Sequence, residues 1–159
     1  MTQEPAVPAT GKILVVDDNP IIQRAVYFQF RDKGFKVTMA GDLTQCMLIV
    51  RSDPPDVILL DINFPDEASI TGEKRDGYWA IGWLRKMDES ANIPVVAISS
   101  AKPEEAEPRV KAAGAVAFFA KPIDKDKLLA KIQELMANRK PHDSRKPEDP
   151  GTPTLRMAS

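Results

Sequence analysis

The chain has 159 residues, 43% of them hydrophobic and 28% charged, with 22 basic against 23 acidic side chains. This balance suits one globular domain with some tail, and a net charge of -1 offers no general attraction for nucleic acid or a membrane surface. Cys46 is the only cysteine, so no intrachain disulfide can form, and no apolar stretch is long enough for a signal core or a bilayer span; a cytoplasmic protein is expected.

Residues 1–11 are rich in Pro and Thr and are expected to be a flexible N-terminal segment. From residue 12 short apolar runs alternate with helical patterns. The runs are KILVVD (12–17), KVTMA (36–40), DVILLD (56–61), PVVAIS (94–99) and VAFFA (116–120). Between them Asn19-Pro20 reads as a helix start, and Gly34 ends that helix. Asp42 and Gln45 have capping-box spacing, and Cys46 falls among Leu43, Met47 and Leu48 as a buried structural thiol. A last helix starts near Asp124 and carries Leu128, Ile132, Leu135 and Met136 on one face. Residues 141–159 hold four prolines and few apolar side chains. They read as a disordered tail, although Pro147, Pro150 and Pro153 also match a PxxP spacing that suits a groove-type partner. His142 stands alone in that tail and is assigned no metal.

Strands this apolar imply a sheet covered on both faces. Five strand–helix units predict a flavodoxin-like, doubly wound α/β fold, with a five-stranded parallel sheet in the order 2-1-3-4-5 and five helices. Ligands in such folds sit at the carboxyl ends of the strands. Strand one delivers Asp17 and Asp18 there, strand three Asp61, strand four Ser99 and Ser100, and strand five Lys121. Taken singly each has a plain alternative: Asp-Asn-Pro is turn chemistry, Ser99 can cap a turn, and Lys121-Pro122 can be a loop exit. Together, three carboxylates in one mouth need a cation to stay ionised, and hard oxygen donors select Mg²⁺ or a similar ion.

The stretches VVDDNP, VILLDINFP, PVVAISSA and AFFAKPI, in this order, resemble the receiver domain of two-component response regulators, the CheY-like family, over about residues 12–137. The resemblance implies that Asp61 accepts a phosphoryl group from a sensor histidine kinase or phosphotransfer protein. It also implies that Asp18, Asp61 and the backbone carbonyl of Asn63 bind Mg²⁺ directly, with Asp17 acting through water. Ser99 matches the hydroxyl that moves to the phosphoryl group, Lys121 the lysine that pairs with it, and Phe118 the aromatic switch position. The chemistry is coherent: a carboxylate is a competent nucleophile, a cation and a lysine offset the transferred charge, and the new anion biases a two-state element.

Two features depart from the family. The Asp-Gly pair expected after Pro65 comes eight residues late, at Asp76-Gly77, which marks an insertion at about 66–77. It either covers the acceptor or is a tolerated surface excursion. Pro108 falls inside the fourth helix and is expected to start that helix or leave it short and loose. The receiver is expected to occupy residues 12–140, with no DNA-binding module after it, and to act as a stand-alone, phosphorylation-switched binding module rather than an enzyme. Its output would be contact with an unknown downstream protein.

The rival from another class is a phosphatase of the haloacid dehalogenase type, which also uses an Asp nucleophile and Mg²⁺. It needs a second Asp two residues on as general acid, where this chain has Asn63, and its nucleophile normally follows the first strand. A flavodoxin-type cofactor carrier would need a Ser/Thr/Gly loop where this chain has two acids. The third helix is expected near Gly77, with Tyr78, Ile81 and Leu84 in the core. Trp79 and Trp83 then share another face as a candidate interaction surface, covered by the insertion with Ile70 as anchor, or by a partner.

Overall fold

The computed structural model describes residues 11–63 and 76–138. Ten elements alternate: β1 (Lys12–Val16), α1 (Pro20–Arg31), β2 (Lys36–Ala40), α2 (Leu43–Ser52), β3 (Val57–Asp61), α3 (Gly77–Lys86), β4 (Val95–Ser99), α4 (Pro103–Ala113), β5 (Ala117–Ala120) and α5 (Lys125–Asn138). The strands form one sheet in the order β2-β1-β3-β4-β5, and every neighbouring pair is parallel. This is the expected doubly wound fold.

The core divides along the period-two alternation of the strands. Leu14, Val16, Ile58, Leu60, Val95 and Ala97 pack with residues of α2, α3 and α4. Ile13, Val15, Val57, Leu59, Val96 and Ile98 pack on the other face with residues of α1 and α5. β3 and β4 are buried along their whole length, so their ends are held in register and carry the site.

Capping follows the local sequence. The Asn19 side chain accepts from the Ile21 and Ile22 amides, with Pro20 in the first turn of α1. The Asp42 side chain accepts from the Gln45 amide, whereas Gln45 Oε1 reaches one residue past the usual partner and accepts from the Gly41 amide. Gly34, just beyond α1, has φ 93° and Gly114, just beyond α4, has φ 124°. Cys46 is buried, which pushes its thiol up to about 12.

Two expectations are corrected. α4 does not begin at Pro108; it begins at Pro103 and runs through Pro108 to Ala113. Pro103 supplies the first-turn proline, and Ala106 and Val110 anchor the helix one turn apart while Pro108 faces solvent. The Glu104 carbonyl that loses a donor is also on the exposed side, where water can serve it. In α3, Ile81 and Leu84 are buried as expected, but Tyr78 packs against that core only half-buried, and Gly77 and Ala80 take the fully buried positions. Its ring instead lies under the Arg109 guanidinium of α4, 3.8 Å from the centroid. The N-terminal segment 1–11 (apart from Gly11), nearly all of the insertion at 66–77 and the tail 141–159 lie outside the described residues.

Candidate functional site

The site is built by chain ends that the sheet holds side by side. Asp61 is the last residue of β3 and Ser99 the last of β4, while Asp17 and Lys121 are the first residues past β1 and β5. Backbone bonds continue the ladder through them: the Asp17 amide donates to the Ala40 carbonyl at 3.0 Å, Ile62 to Ile98 at 2.8 Å, and Lys121 to Ser99 at 2.9 Å. Each side chain therefore leaves a backbone that is already fixed.

Asp17, Asp18 and Asp61 each place a carboxylate oxygen within 4.8 Å of the other two. Asp17 and Asp61 are buried, and Asp18 is exposed at the rim. Lys121 Nζ lies 3.1 Å from Asp61 Oδ2 and 3.9 Å from Asp17 Oδ2. The Asn19 amide donates to Asp17 Oδ1 at 2.8 Å, and the Asn63 amide to Asp61 Oδ1 at 2.9 Å. Burial raises the Asp17 carboxyl from 3.8 to about 6; the Asn19 amide opposes the rise, the Asp61 charge adds to it, and Lys121 opposes it. One ammonium does not fully compensate three clustered carboxylates. An all-oxygen cup with excess negative charge suits a hard divalent cation, so these residues fit Mg²⁺.

The remaining residues separate. Ser99 is fully buried, and its hydroxyl donates to Asn63 Oδ1 at 3.0 Å rather than to Asp61. Phe118 is half-buried against the core face shared by α2, α3 and α4. Trp79 and Trp83 stack on each other, with ring centroids 6.4 Å apart and an interplanar angle of 18°. Both are half-buried and pack against the same core face, so the solvent-facing stripe expected on α3 is partly buried.

Three participants were not visible in the sequence. The Asn63 side chain accepts from Ser99 and also from the Ser100 amide at 2.8 Å and the Ser100 hydroxyl at 3.2 Å. Gln23 donates to the Asp17 carbonyl and, at 3.3 Å, to the Ala40 carbonyl, which braces the first acid loop. Gly77 lies so close to the acceptor loop that a Cβ would stand 2.5 Å from Ile62 Cα. The pattern Asp-x-Asn carries a turn signal but nothing that names a partner 36 residues away.

Comparison with known proteins agrees with this geometry. The model of the response regulator receiver domain matches residues 13–133. The transcriptional regulatory protein KdpE of Staphylococcus aureus is 30% identical over 132 residues, covering 83% of this chain and 52% of KdpE. The virulence transcriptional regulatory protein PhoP of Salmonella typhimurium is 27% identical, over 79% of this chain and 51% of PhoP. The chain thus spans about half the length of these curated relatives. Among solved structures, chemotaxis protein CheY4 of Vibrio cholerae superimposes with a TM-score of 0.69 at 25% identity, covering 80% of this chain and 99% of CheY4. Among the described residues no helix is long and apolar enough to cross a membrane. With a matching family model, matching sheet order and an acid cluster at the strand ends, this chain belongs to the receiver domain family of two-component response regulators.

Proposed function

We propose that Asp61 is the phosphoryl acceptor of this receiver and that the chain works as a phosphorylation-switched signalling module. The observation that carries the reading is the position of Asp61: buried, backbone-anchored by Asn63, paired with Lys121 and flanked by two further acids. In this reading a carboxylate oxygen of Asp61 attacks the phosphorus of a phosphohistidine on a sensor kinase or phosphotransfer protein, and the histidine nitrogen leaves. Asp17, Asp18, Asp61 and the Asn63 backbone carbonyl would hold Mg²⁺, which when bound offsets charge on the transferred oxygens. Lys121 supplies the counter-charge from the other side, and its ammonium already lies within reach of Asp61. Ser99 and Phe118 would convert the new anion into a changed surface for a downstream protein.

Trp79 and Trp83 remain the candidate contact surface, with the insertion or a partner as cover. A module that draws its phosphoryl group from an ATP-fed kinase works where ATP is, which supports a cytoplasmic role. The phosphatase alternative is disfavoured because the Asn63 side chain cannot act as an acid and is bonded to Ser99 and Ser100. Incubation with Mg²⁺ and acetyl phosphate, followed by intact mass measurement, tests the proposal. One phosphoryl group should add to the wild type and none to Asp61→Asn; equal labelling of the variant would reject Asp61 as the acceptor.

A further inference from the structure

Asn63 grips the acceptor and the sensing hydroxyl at once. Its backbone amide donates to Asp61 Oδ1, and its side-chain oxygen takes three donors from Ser99 and Ser100. The identity of that oxygen follows from the bonding: the Ser100 backbone amide can only donate, so the side-chain atom it meets must accept. Ser99 Oγ both donates and accepts in this state. Its single proton goes to Asn63, and it accepts from the Ala101 amide at 2.9 Å. It is also fully buried, so water does not compete for it.

From this geometry we infer that the Asn63 carboxamide is a latch that holds the β4–α4 loop in its resting position. The inference rests on the reading of Ser99 as the group that turns toward a phosphoryl group on Asp61. Before Ser99 can donate there, its bond to Asn63 must break. A phosphoryl oxygen is a charged acceptor and the carboxamide a neutral one, and charge-assisted bonds are about twice as strong. The latch therefore holds in the resting state and yields after phosphorylation. Asn63 thereby acts in two separable ways: its backbone carbonyl belongs to the proposed metal cup, and its side chain sets the resting equilibrium of the loop. Asn63 is exposed, so truncating its side chain leaves the core untouched.

Asn63→Ala removes the latch and keeps the backbone carbonyl; Asn63→Asp keeps an acceptor in the same place. The probe is the set of backbone amide resonances of Phe118 and of Glu104, Glu105, Ala106 and Glu107 in α4, away from the substituted atoms. Wild-type protein without and with Mg²⁺ and beryllofluoride, a phosphoryl mimic, defines a resting and an engaged position for each resonance. Unliganded Asn63→Ala should move along that line, with a rise of about five- to tenfold or more in the engaged-to-resting ratio, because the net loss of even one of the three neutral hydrogen bonds gives roughly that factor. Asn63→Asp should return toward the wild-type resting position. Resonances of Asn63→Ala that stay at rest, or that move off the line, overturn the latch. Ser99→Ala separates the two readings. If it reaches the engaged position with beryllofluoride, the Ser99 reading fails; if it stalls while Asn63→Ala stays at rest, only the latch fails.

Discussion

Lys121 Nζ and Asp61 Oδ2 meet at 3.1 Å although sixty residues separate them in the chain. The same ammonium is 3.9 Å from Asp17, so one cation serves two buried acids. Removing it leaves buried negative charge without a partner, which costs more than the pair itself contributes. Lys121→Ala should lower metal-free stability at pH 7.5 by about 1–3 kcal/mol, a discount on fully buried pairs because the Lys121 side chain is 20% exposed. Urea unfolding with EDTA and with Mg²⁺ measures this, and the deficit should shrink when a divalent cation is added. A deficit independent of Mg²⁺ would count against a shared charge balance.

The raised Asp17 carboxyl sets a pH dependence. A carboxyl with a raised folded pKa binds its proton more tightly in the folded state, so its contribution is present below about pH 4 and is lost as pH rises through about 6. Asp53 acts in the opposite sense: the Lys12 ammonium bonded to it holds its carboxyl below the ordinary value. The difference between wild type and Asp17→Asn isolates Asp17. In EDTA at pH 7.5 the variant should be more stable by on the order of 2 kcal/mol, with the gap closing toward pH 4. Mg²⁺ affinity of the wild type should fall as pH drops below 6, because the cation competes with that proton. Calorimetric titration at pH 5 and pH 7.5 checks the second outcome.

Two glycines of α3 should respond with opposite sign. A Cβ at Gly77 would stand 2.5 Å from Ile62 Cα and 2.9 Å from the Ile62 carbonyl oxygen, and backbone cannot move aside cheaply. Gly77→Ala should cost about 1–3 kcal/mol and disturb the loop that follows Asp61. A Cβ at Gly82 meets nothing within 4 Å. Gly82→Ala should stabilise by roughly 0.5–1 kcal/mol, because alanine forfeits less conformational freedom in a helix. Paired thermal unfolding curves decide, and a stabilising Gly77→Ala would contradict the close approach.

The Trp79–Trp83 stack offers an optical test of whether the insertion that precedes it in the chain covers it. If the insertion covers these rings, deletion of residues 67–74 should shift tryptophan emission to longer wavelength and raise accessibility to a soluble quencher. Addition of Mg²⁺ and beryllofluoride to the wild type should move emission in the same direction by a smaller amount. Unchanged emission and quenching after deletion would leave a partner protein as the better cover.

Architecture was legible because it rests on short-range chemistry. The alternation Ile13/Val15 against Leu14/Val16, the caps at Asn19 and Asp42, and the five apolar runs are each set within a few residues. The acid cluster was legible for a different reason: parallel strands all point the same way, so whatever follows each strand must gather at one end. The places where that reasoning failed are contacts that no local period encodes. Pro108 looked like a helix start because proline costs a backbone bond, yet burial of Ala106 and Val110 carries the helix through it. Tyr78 is expected in the core of α3, yet Gly77 and Ala80 hold the fully buried positions while Tyr78 packs half-buried against that core with Arg109 over its ring.

The sequence by itself determined the element order, the sheet's polarity and hence the gathering of Asp17, Asp18, Asp61 and Lys121, because these follow from local propensity and strand direction. Only the tertiary structure decided that Ser99 is bonded to Asn63 rather than to Asp61, and that Asn63 joins the two loops. That bond spans 36 residues and depends on β3 and β4 being neighbours in register, with Asp61 opposite Ile98, a relation that exists only once the sheet has closed.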